Sequence, residues 1–219
     1  MSSDDNRIKV GLALGGGVAR GVAHIGVLSV LEDAGIPIDC LAGTSMGAII
    51  GSAYSAGLTI DELRTIAART GWWQVSRPFF SAGGLVTFKR LEQWIEANVG
   101  EFAVQDLAIP FAAVASDLVS GERVVLSEGR LCTAVRASCS VPGFVPPVEL
   151  DGHVLVDGGI TDNIPADVVR LLGADYVIGV DIFMPALRPR LGPLSQGIAA
   201  IETLVRHAGK GANESDCLI

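Results

Sequence analysis

Aromatic side chains are scarce in this chain, which has only 5% Phe, Trp and Tyr among its 219 residues. Yet 49% of the residues are hydrophobic and the mean hydropathy is +0.46, so a large core must be built mainly from Ala, Val, Leu and Ile. Such aliphatic cores are typical of a mostly parallel sheet that helices cover on both faces. We therefore predict an α/β protein with three layers, α/β/α, around a mostly parallel central sheet.

The chain also lacks an excess of positive charge. It has 16 Lys and Arg against 24 Asp and Glu, a formal net charge of −8, and no run of basic residues. This composition argues against a nucleic-acid partner and against binding to anionic lipid through overall charge. We expect any contact with a membrane to be peripheral, local and apolar.

Metal-binding spacing is missing from the cysteines. The chain has four of them, without a C-x-x-C pair: Cys40, Cys132, Cys139 and Cys217. They are predicted to be small core residues in a reducing compartment, so we expect no disulfide framework, no metal and no other cofactor. The polar, acidic residues 1–6 are unlike a signal peptide, which favours a cytoplasmic protein.

Long uncharged runs are rare as well, and one needs an explanation. Residues 40–60 contain 21 positions without a charge, which is long enough to span a bilayer. Four glycines and several Ser and Thr interrupt the run, so we interpret it as a short strand, a sharp turn and a helix.

The hydrophobic pattern predicts alternating strands and helices without an internal repeat. A βαβ unit opens the chain, and its helix is expected to bury one side formed by Val22, Ile25, Leu28, Val30 and Leu31. Predicted strands cover residues 9–14, 39–42, 111–115, 123–126, 154–156 and 176–181, and predicted helices cover 22–34, 46–56, 61–69, 89–99, 131–138 and 165–172.

No linker divides the chain, so a single domain over residues 1–219 is expected. Residues 216–219 are typical of the start of a further buried strand, as a C-terminally truncated domain would show. Residues 72–85 form an apolar segment of weak pattern with Trp72, Trp73, Phe79 and Phe80. That segment fits two interpretations, a lid that meets lipid or ordinary core packing.

Gly43-Thr44-Ser45-Met46-Gly47 is the most informative stretch of the chain. It places a serine between two glycines where a short apolar strand becomes a helix, which is the pattern of a nucleophile elbow. The sharp turn tolerates no bulk two positions away on either side, so the hydroxyl of Ser45 is left exposed for reaction. We predict that Ser45 is a catalytic nucleophile.

Gly15-Gly16-Gly17 lies between the first strand and the first helix. Such a loop exposes backbone N–H groups, and the helix N-terminus adds positive potential, so it suits either a tetrahedral oxyanion or a phosphate. The dinucleotide pattern G-x-G-x-x-G is imperfect here, although Asp39 lies at a suitable distance. A P-loop is excluded because Gly-Lys-Ser/Thr is missing.

The general base is the discriminating question, because the chain has only three histidines: His24, His153 and His207. Packing, turn and surface roles are the more ordinary interpretations of these three. Asp157 is the better candidate, since it follows the strand 154–156 and precedes Gly158 and Gly159. Its carboxylate is expected at the carboxyl end of a strand, on the edge where open α/β sheets keep their sites.

Together these residues resemble the three signatures of the patatin-like phospholipases, in order and approximate spacing, over residues 9–181. The resemblance implies a Ser45–Asp157 dyad without histidine or metal, acting on acyl esters of phospholipids, lysophospholipids and other lipids. It also implies an oxyanion hole from the amides of Gly16, Gly17 and Val18, with Val18 standing where the family has its third loop glycine. The matching motif residues are Gly15, Arg20, Gly21, Gly43, Gly47, Gly158 and Gly159.

Three alternatives remain open from the sequence. The first is a Ser–His–Asp esterase that uses Ser45, His207 and Asp157, although only two strands fit before the elbow. The second is a non-catalytic regulator that binds a nucleotide or phosphate through the glycine loop. The third is a catalytically silent scaffold of the same fold.

Overall fold

The computed structural model describes residues 7–17, 20–81, 84–183 and 193–219 of the chain. A central sheet of eight strands dominates it, and a separate pair of strands lies in the middle of the sequence. The strands are β1 (Val10–Leu14), β2 (Cys40–Thr44), β3 (Arg77–Ser81), β4 (Gly84–Thr87), β5 (Phe111–Asp117), β6 (Arg123–Leu126), β7 (Val148–Leu150), β8 (His153–Asp157), β9 (Tyr176–Val180) and β10 (Cys217–Leu218).

The strand order in the central sheet is β10-β9-β1-β2-β5-β8-β7, with β6 also paired to β5. The four pairings from β10 to β5 are parallel, whereas β8 and β6 run antiparallel to β5, and β7 runs antiparallel to β8. The predicted parallel sheet is therefore found in five consecutive strands. The antiparallel remainder includes β7, which the sequence analysis missed because it is only three residues long.

Helices cover both faces of the sheet. Short 3-10 turns at Val104–Asp106 and Gly158–Ile160 supplement them. The α-helices are α1 (Val22–Asp33), α2 (Met46–Ser55), α3 (Ile60–Arg69), α4 (Trp72–Val75), α5 (Lys89–Asn98), α6 (Leu131–Ser138), α7 (Ala166–Leu171), α8 (Pro193–His207) and α9 (Gly211–Glu214).

Two buried apolar clusters lie on opposite faces of the sheet. Strand β1 contributes Leu12 and Leu14 to one cluster and Ala13 to the other, as the alternation of side chains along a strand requires. The first cluster includes Leu28 of α1, and the second includes Val168 of α7. Burial of both faces explains the aliphatic composition and confirms the three-layer prediction.

Helix α1 corrects one detail of the predicted core. Its buried residues are His24, Ile25, Leu28 and Leu31, whereas Val22 and Val30 are 57% and 66% exposed. The expectation that both valines face the core was wrong. A helix turns by about 100° per residue, so Val30 lies about 200° from Leu28 and points away from the sheet.

Residues 72–85, predicted as an apolar loop, instead contain α4 and the antiparallel β3–β4 pair. Aromatic and β-branched residues on either side of Gly83-Gly84 are typical of such a hairpin. Residues 82 and 83 lie outside the described residues, and the lid interpretation stays a prediction. Within the described ranges, no helix has the length and apolar character needed to cross a bilayer.

Candidate active site

The predicted elbow is built where β2 meets α2. Ser45 lies between them with φ 53° and ψ −117°, a backbone conformation that is strained for a residue with a side chain. A Cβ added to Gly43 would overlap the backbone of Gly47, and one added to Gly47 would overlap the carbonyl of Leu14. The flanking glycines are therefore required by close backbone contacts, as the sequence pattern predicts.

Polar contacts hold the elbow in this conformation. The N–H of Ser45 donates to Oγ of Ser138 at 2.9 Å, and that hydroxyl donates to the carbonyl of Val114 at 2.6 Å. Oγ1 of Thr44 donates to the carbonyl of Asp162 at 3.0 Å. Sequence reasoning missed Ser138, which carries no signal beyond its place in a predicted helix. The strained turn is thus fastened to β5 and to the segment after β8.

Strand register brings Asp157 to the level of Ser45. Thr44 of β2 pairs with Val114 of β5, and the next residue of β5, Ala115, pairs with Asp157 on the same side, since β6 occupies the other side of β5. Ser45 follows Thr44, so β2 and β8 end at the same point along one side of β5, and the serine and the aspartate lie where they meet. The sequence did not predict the direction of β8: it is antiparallel to β5, so its carboxyl end meets the carboxyl end of β2 from the opposite direction.

The Asp157 carboxyl is buried, with only 7% of the residue exposed. Burial raises its pKa to about 6, while hydrogen bonds from the Gly159 N–H and from the Ser45 side chain oppose that rise. The Gly159 N–H donates to Oδ1 at 2.8 Å. A Cβ added to Gly158 would overlap the carbonyl of Val114, so this glycine lets the turn after Asp157 approach β5.

Cys139 is a second neighbour of Ser45. Burial and the charge of Asp157 raise the pKa of its thiol well above the usual value, and a hydrogen bond with the Ser45 side chain opposes this. The thiol is therefore protonated and uncharged at neutral pH. Cys40, Cys132 and Cys139 are buried, as predicted for small core residues, and Cys217 is half-buried.

The glycine loop lies directly against the elbow. A Cβ added to Gly16 would lie 3.2 Å from Cβ of Ser45 and 2.9 Å from Oδ1 of Asn163. The Gly16 N–H already donates to that Oδ1 at 3.0 Å. In the described part of the chain, the Gly17 N–H has no hydrogen-bond acceptor.

Three further motif residues support or adjoin this loop. The Arg20 N–H donates to the carbonyl of Gly17 at 3.1 Å, and Gly21 packs so closely on Met46 that a Cβ would overlap it. Val18, the third predicted amide of the oxyanion hole, lies outside the described residues.

The three histidines have other contacts. His24 is fully buried and its Nε2 lies 2.8 Å from the carbonyl of Gly15, while Nδ1 of His153 lies 3.2 Å from Oδ2 of Asp117. His207 is exposed at the end of α8. Among the described residues, these histidine contacts involve neither Ser45 nor Asp157.

A partly buried ion network supports the segment after β8 and was also missed. Arg123 of β6 pairs with Asp162 and with Asp167, and this fixes the residue next to Asn163. Burial raises the pKa of Asp162 to about 6, although Arg123 opposes the rise. In the ranges the structure describes, no group of three or more His, Cys, Asp or Glu is arranged to hold a metal.

Comparison with known sequences links this geometry to a family. The sequence model described as "Patatin-like phospholipase" matches residues 12–170. That range contains the glycine loop, the elbow and Asp157, so the match covers each part of the candidate site.

Individual relatives agree with the family match. An uncharacterised NTE family protein of Mycobacterium tuberculosis is 39% identical over 178 residues, which cover 80% of this chain and 49% of the relative. Patatin-like phospholipase domain-containing protein 6 of Homo sapiens is 37% identical over 183 residues, 79% of this chain and 13% of that protein. "Neuropathy target esterase sws" of Drosophila melanogaster is 34% identical over 197 residues, which cover 83% of this chain and 14% of that protein.

A solved structure shares the fold. The crystal structure of VipD from Legionella pneumophila superposes with a TM-score of 0.56 at 16% identity, covering 88% of this chain and 53% of that one. The present chain thus spans about half the length of the mycobacterial relative and of this structural neighbour.

Proposed function

The chain belongs to the patatin-like phospholipase family, and from this premise we propose that it is a serine hydrolase of lipid acyl esters. In this proposal Ser45 is the nucleophile and Asp157 is the proton acceptor, with no histidine between them. The supporting observation is that β2 and β8 end at the same point along one side of β5, which brings Ser45 in its strained elbow beside the buried Asp157 carboxyl.

The proposed reaction has two acyl-transfer steps. Asp157 accepts the Ser45 proton while Oγ attacks the acyl carbonyl, and the tetrahedral intermediate collapses as the leaving alcohol takes the proton from Asp157. Water then attacks the acyl-enzyme, Asp157 accepts its proton, and the fatty acid leaves as that proton returns to Ser45. Asp157 ends each cycle ionised, and no electrons are transferred.

Burial suits Asp157 to this role. A carboxylate with the ordinary pKa of about 3.9 is a weak base toward a serine hydroxyl. Burial raises the pKa of Asp157 to about 6, so the group is more basic and still ionised at neutral pH. The Gly159 N–H and the Ser45 hydroxyl stabilise the ionised form without a neighbouring histidine.

The oxyanion is proposed to bind at the glycine loop and the start of α2. Gly17 offers an N–H without an acceptor among the described residues, and the N-terminus of the ten-residue helix α2 adds positive potential beside Ser45. The Gly16 N–H, also predicted as a donor, would have to leave Asn163 in order to bind the oxyanion.

Lipid esters are the proposed substrates because of the family and of the names of relatives, one of which is called an esterase. We propose that the protein meets lipid by peripheral contact through the apolar segment 72–85. Deletion of residues 72–85, joined by a short glycine linker, is expected to weaken binding to phosphatidylcholine vesicles. Unchanged vesicle binding would count against this contact.

The proposed dyad is tested by hydrolysis of a p-nitrophenyl ester and of a phospholipid by three variants. Ser45→Ala and Asp157→Asn are expected to lose about 10³-fold or more in kcat, as removal of a nucleophile or its base does. His207→Ala, the matched control, is expected to keep kcat. Activity retained in Ser45→Ala or Asp157→Asn would overturn the dyad, and a large loss in His207→Ala would favour the Ser–His–Asp alternative.

Labelling distinguishes a hydrolase from a silent scaffold or a nucleotide-binding regulator. A fluorophosphonate probe is expected to label the wild-type protein and to leave Ser45→Ala unlabelled. Tight NAD or ATP binding in a protein that neither reacts with the probe nor hydrolyses esters would instead favour the regulator.

A further inference from the structure

The peptide group between Gly15 and Gly16 is held at both of its polar ends. Its carbonyl oxygen accepts a hydrogen bond from Nε2 of His24 at 2.8 Å, and its N–H donates to Oδ1 of Asn163 at 3.0 Å. His24 belongs to α1, and Asn163 lies 147 positions after Gly16, beyond β8. Two side chains from distant parts of the sequence therefore fix the plane of one peptide.

Both holding side chains are themselves buried. His24 has no exposed surface and Asn163 is 5% exposed. Because a carbonyl can only accept, the proton of the His24 ring must lie on Nε2, and Nδ1 has no partner among the described residues. Burial lowers the pKa of His24, which agrees with a neutral ring that acts as a donor.

The backbone on each side of this peptide is also tightly confined. The Gly15 N–H donates to the carbonyl of Val180 at 3.0 Å, and a Cβ added to Gly15 would lie 2.9 Å from that oxygen. A Cβ added to Gly17 would lie 2.5 Å from Cγ1 of Ile182. The Gly16–Gly17 peptide is thus confined at both ends: it follows the fixed Gly15–Gly16 peptide, and Gly17 packs against Ile182.

Three consecutive glycines have almost no conformational preference of their own, so outside contacts must set the direction of each amide. If the Gly15–Gly16 peptide turned over, its carbonyl would face Asn163 and its N–H would face His24. Both hydrogen bonds would then be lost unless the His24 ring moved its proton to Nδ1 and the Asn163 amide turned over, which two buried side chains do not do freely.

We propose that His24 and Asn163 are positioning residues that clamp the Gly15–Gly16 peptide and thereby aim the Gly17 N–H at the oxyanion. This inference rests on the proposed function, because it assigns a role in stabilising the tetrahedral intermediate on Ser45. Neither residue touches the reacting atoms in this scheme. They act through the direction of one backbone amide, on which oxyanion stabilisation depends.

Four variants test the clamp. His24→Leu removes the donor, Asn163→Leu removes the acceptor at similar volume, and a third protein carries both changes. His24→Gln is the conservative control, since its side-chain amide can donate from nearly the same place. The measurements are kcat and KM for a soluble short-chain p-nitrophenyl ester, and the inhibition constant of an alkyl trifluoromethyl ketone, whose adduct with Ser45 carries an oxyanion.

Each leucine variant is expected to lose about 10–100-fold in kcat, less than or comparable to the loss of a whole oxyanion donor, with KM changed by no more than about threefold. Ketone binding is expected to weaken by a similar factor. The double variant should be little worse than the poorer single one, since both side chains hold the same peptide. His24→Gln should recover most of kcat.

A merely structural role predicts a different result. Variants that are folded at the assay temperature, yet keep kcat and ketone affinity, would overturn the clamp, and so would losses that multiply in the double variant. If Asn163→Leu fails to fold, Asn163→Ser replaces it, because its shorter side chain is polar but cannot reach the Gly16 N–H. A wild-type protein without Ser45-dependent hydrolysis would refute the proposed function itself, whereas an active wild type with unaffected variants refutes only the clamp.

Discussion

Two residues other than glycine adopt a positive φ in the described part of the chain, and their surroundings differ. Asp151 has φ 49° in the exposed turn between β7 and β8, followed by Gly152 at φ 83°. Ser45 has φ 53° in the elbow between β2 and α2, with ψ −117°. Asp-Gly is among the sequences that favour such a turn, whereas serine has no comparable preference for its conformation.

The two conformations have different origins. The turn at Asp151 is stabilised by its own residues, since no atom of the described residues lies within 4 Å of a Cβ added to Gly152. The elbow is held by tertiary contacts: Gly47 packs against the backbone of Leu14 in β1, and Ser138 binds the Ser45 N–H. Strain that is held from outside can persist at a reactive group, which is why it is informative about function.

The largest expected contrast is between the glycines of the two regions. Gly47→Ala would drive a Cβ into the carbonyl of Leu14, so a loss of about 4 kcal/mol or more in the free energy of unfolding is expected. Gly152→Ala meets only the positive φ and is expected to cost about 1–2 kcal/mol. Urea denaturation measures both, and equal losses would show that the elbow is no more constrained than the turn.

The next contrast is between the pKa values of two carboxyls, Asp157 beside the elbow and Asp117 beside the turn. The proposed base Asp157 has a pKa of about 6, so kcat/KM should fall by about tenfold per pH unit below that value. Asp117, which accepts hydrogen bonds from His153 and the Val154 N–H beside the turn, has its pKa held well below the usual range. Asp117 therefore stays ionised between pH 5 and 8 and adds no change to kcat/KM in that range.

The pH profile of ester hydrolysis measures this, with two control variants. Asp117→Asn and Asp162→Asn should both leave the acid limb near pH 6, although burial also raises the pKa of Asp162 to about 6. If the acid limb moves in Asp162→Asn, Asp162 and not Asp157 is the group that titrates near pH 6.

Stability should change in opposite directions at the same two aspartates. Burial raises the pKa of Asp157 in the folded protein to about 6. Above pH 6 the buried carboxylate is charged, which lowers the free energy of unfolding, and this cost fades as the pH falls toward 4. Asp157→Asn is thus expected to gain about 1–3 kcal/mol at pH 8 while abolishing activity.

Asp117→Asn should instead lower the melting temperature at pH 8. Its folded pKa is depressed by the hydrogen bond from His153 and by amide donors, so its stabilisation is present above pH 4 and is lost as the pH falls through the folded pKa. Calorimetry of both variants at pH 5 and 8 measures the effect. A loss of stability in Asp157→Asn at pH 8 would contradict the burial argument.

The last contrast separates the backbone strain at Ser45 and Asp151 from the loss of their side chains, and its effects are small. Ser45→Gly should be more stable than Ser45→Ala by about 1 kcal/mol, because both lack the hydroxyl and only alanine keeps the strain. Asp151→Gly should lie within about 0.5 kcal/mol of the wild type, since aspartate already tolerates the turn. Unfolding free energies at one pH decide this, and a Ser45→Gly variant no more stable than Ser45→Ala would deny the strain.

Local patterns were sufficient to predict the elbow and most of the secondary structure. The glycines at 43 and 47 predict a strand, a turn and a helix, and β2 and α2 end within two residues of the predicted bounds. Helix 131–138 matches its predicted range. Three motifs in order predicted the family, which the comparisons confirm.

Long-range contacts could not be predicted in this way. The direction of β8 depends on its pairing with β5, some 40 positions earlier, and the short strand β7 before it gives little pattern. Asn163 and Ser138 contact Gly16 and Ser45 from 147 and 93 positions away. Their side chains carry no local sign of these partners, so the support of the candidate site became visible only in the fold.

The register of β8 against β5 also governs where this protein can accept extra residues. A single residue inserted within β8 would turn every later side chain of the strand to the opposite face and carry Asp157 away from Ser45. Insertions at Asp151 and Gly152 leave that register untouched, because the turn is exposed and open. Length variation that preserves the proposed dyad should therefore occur in this turn, where added residues would form new surface beside an unchanged pair of strands.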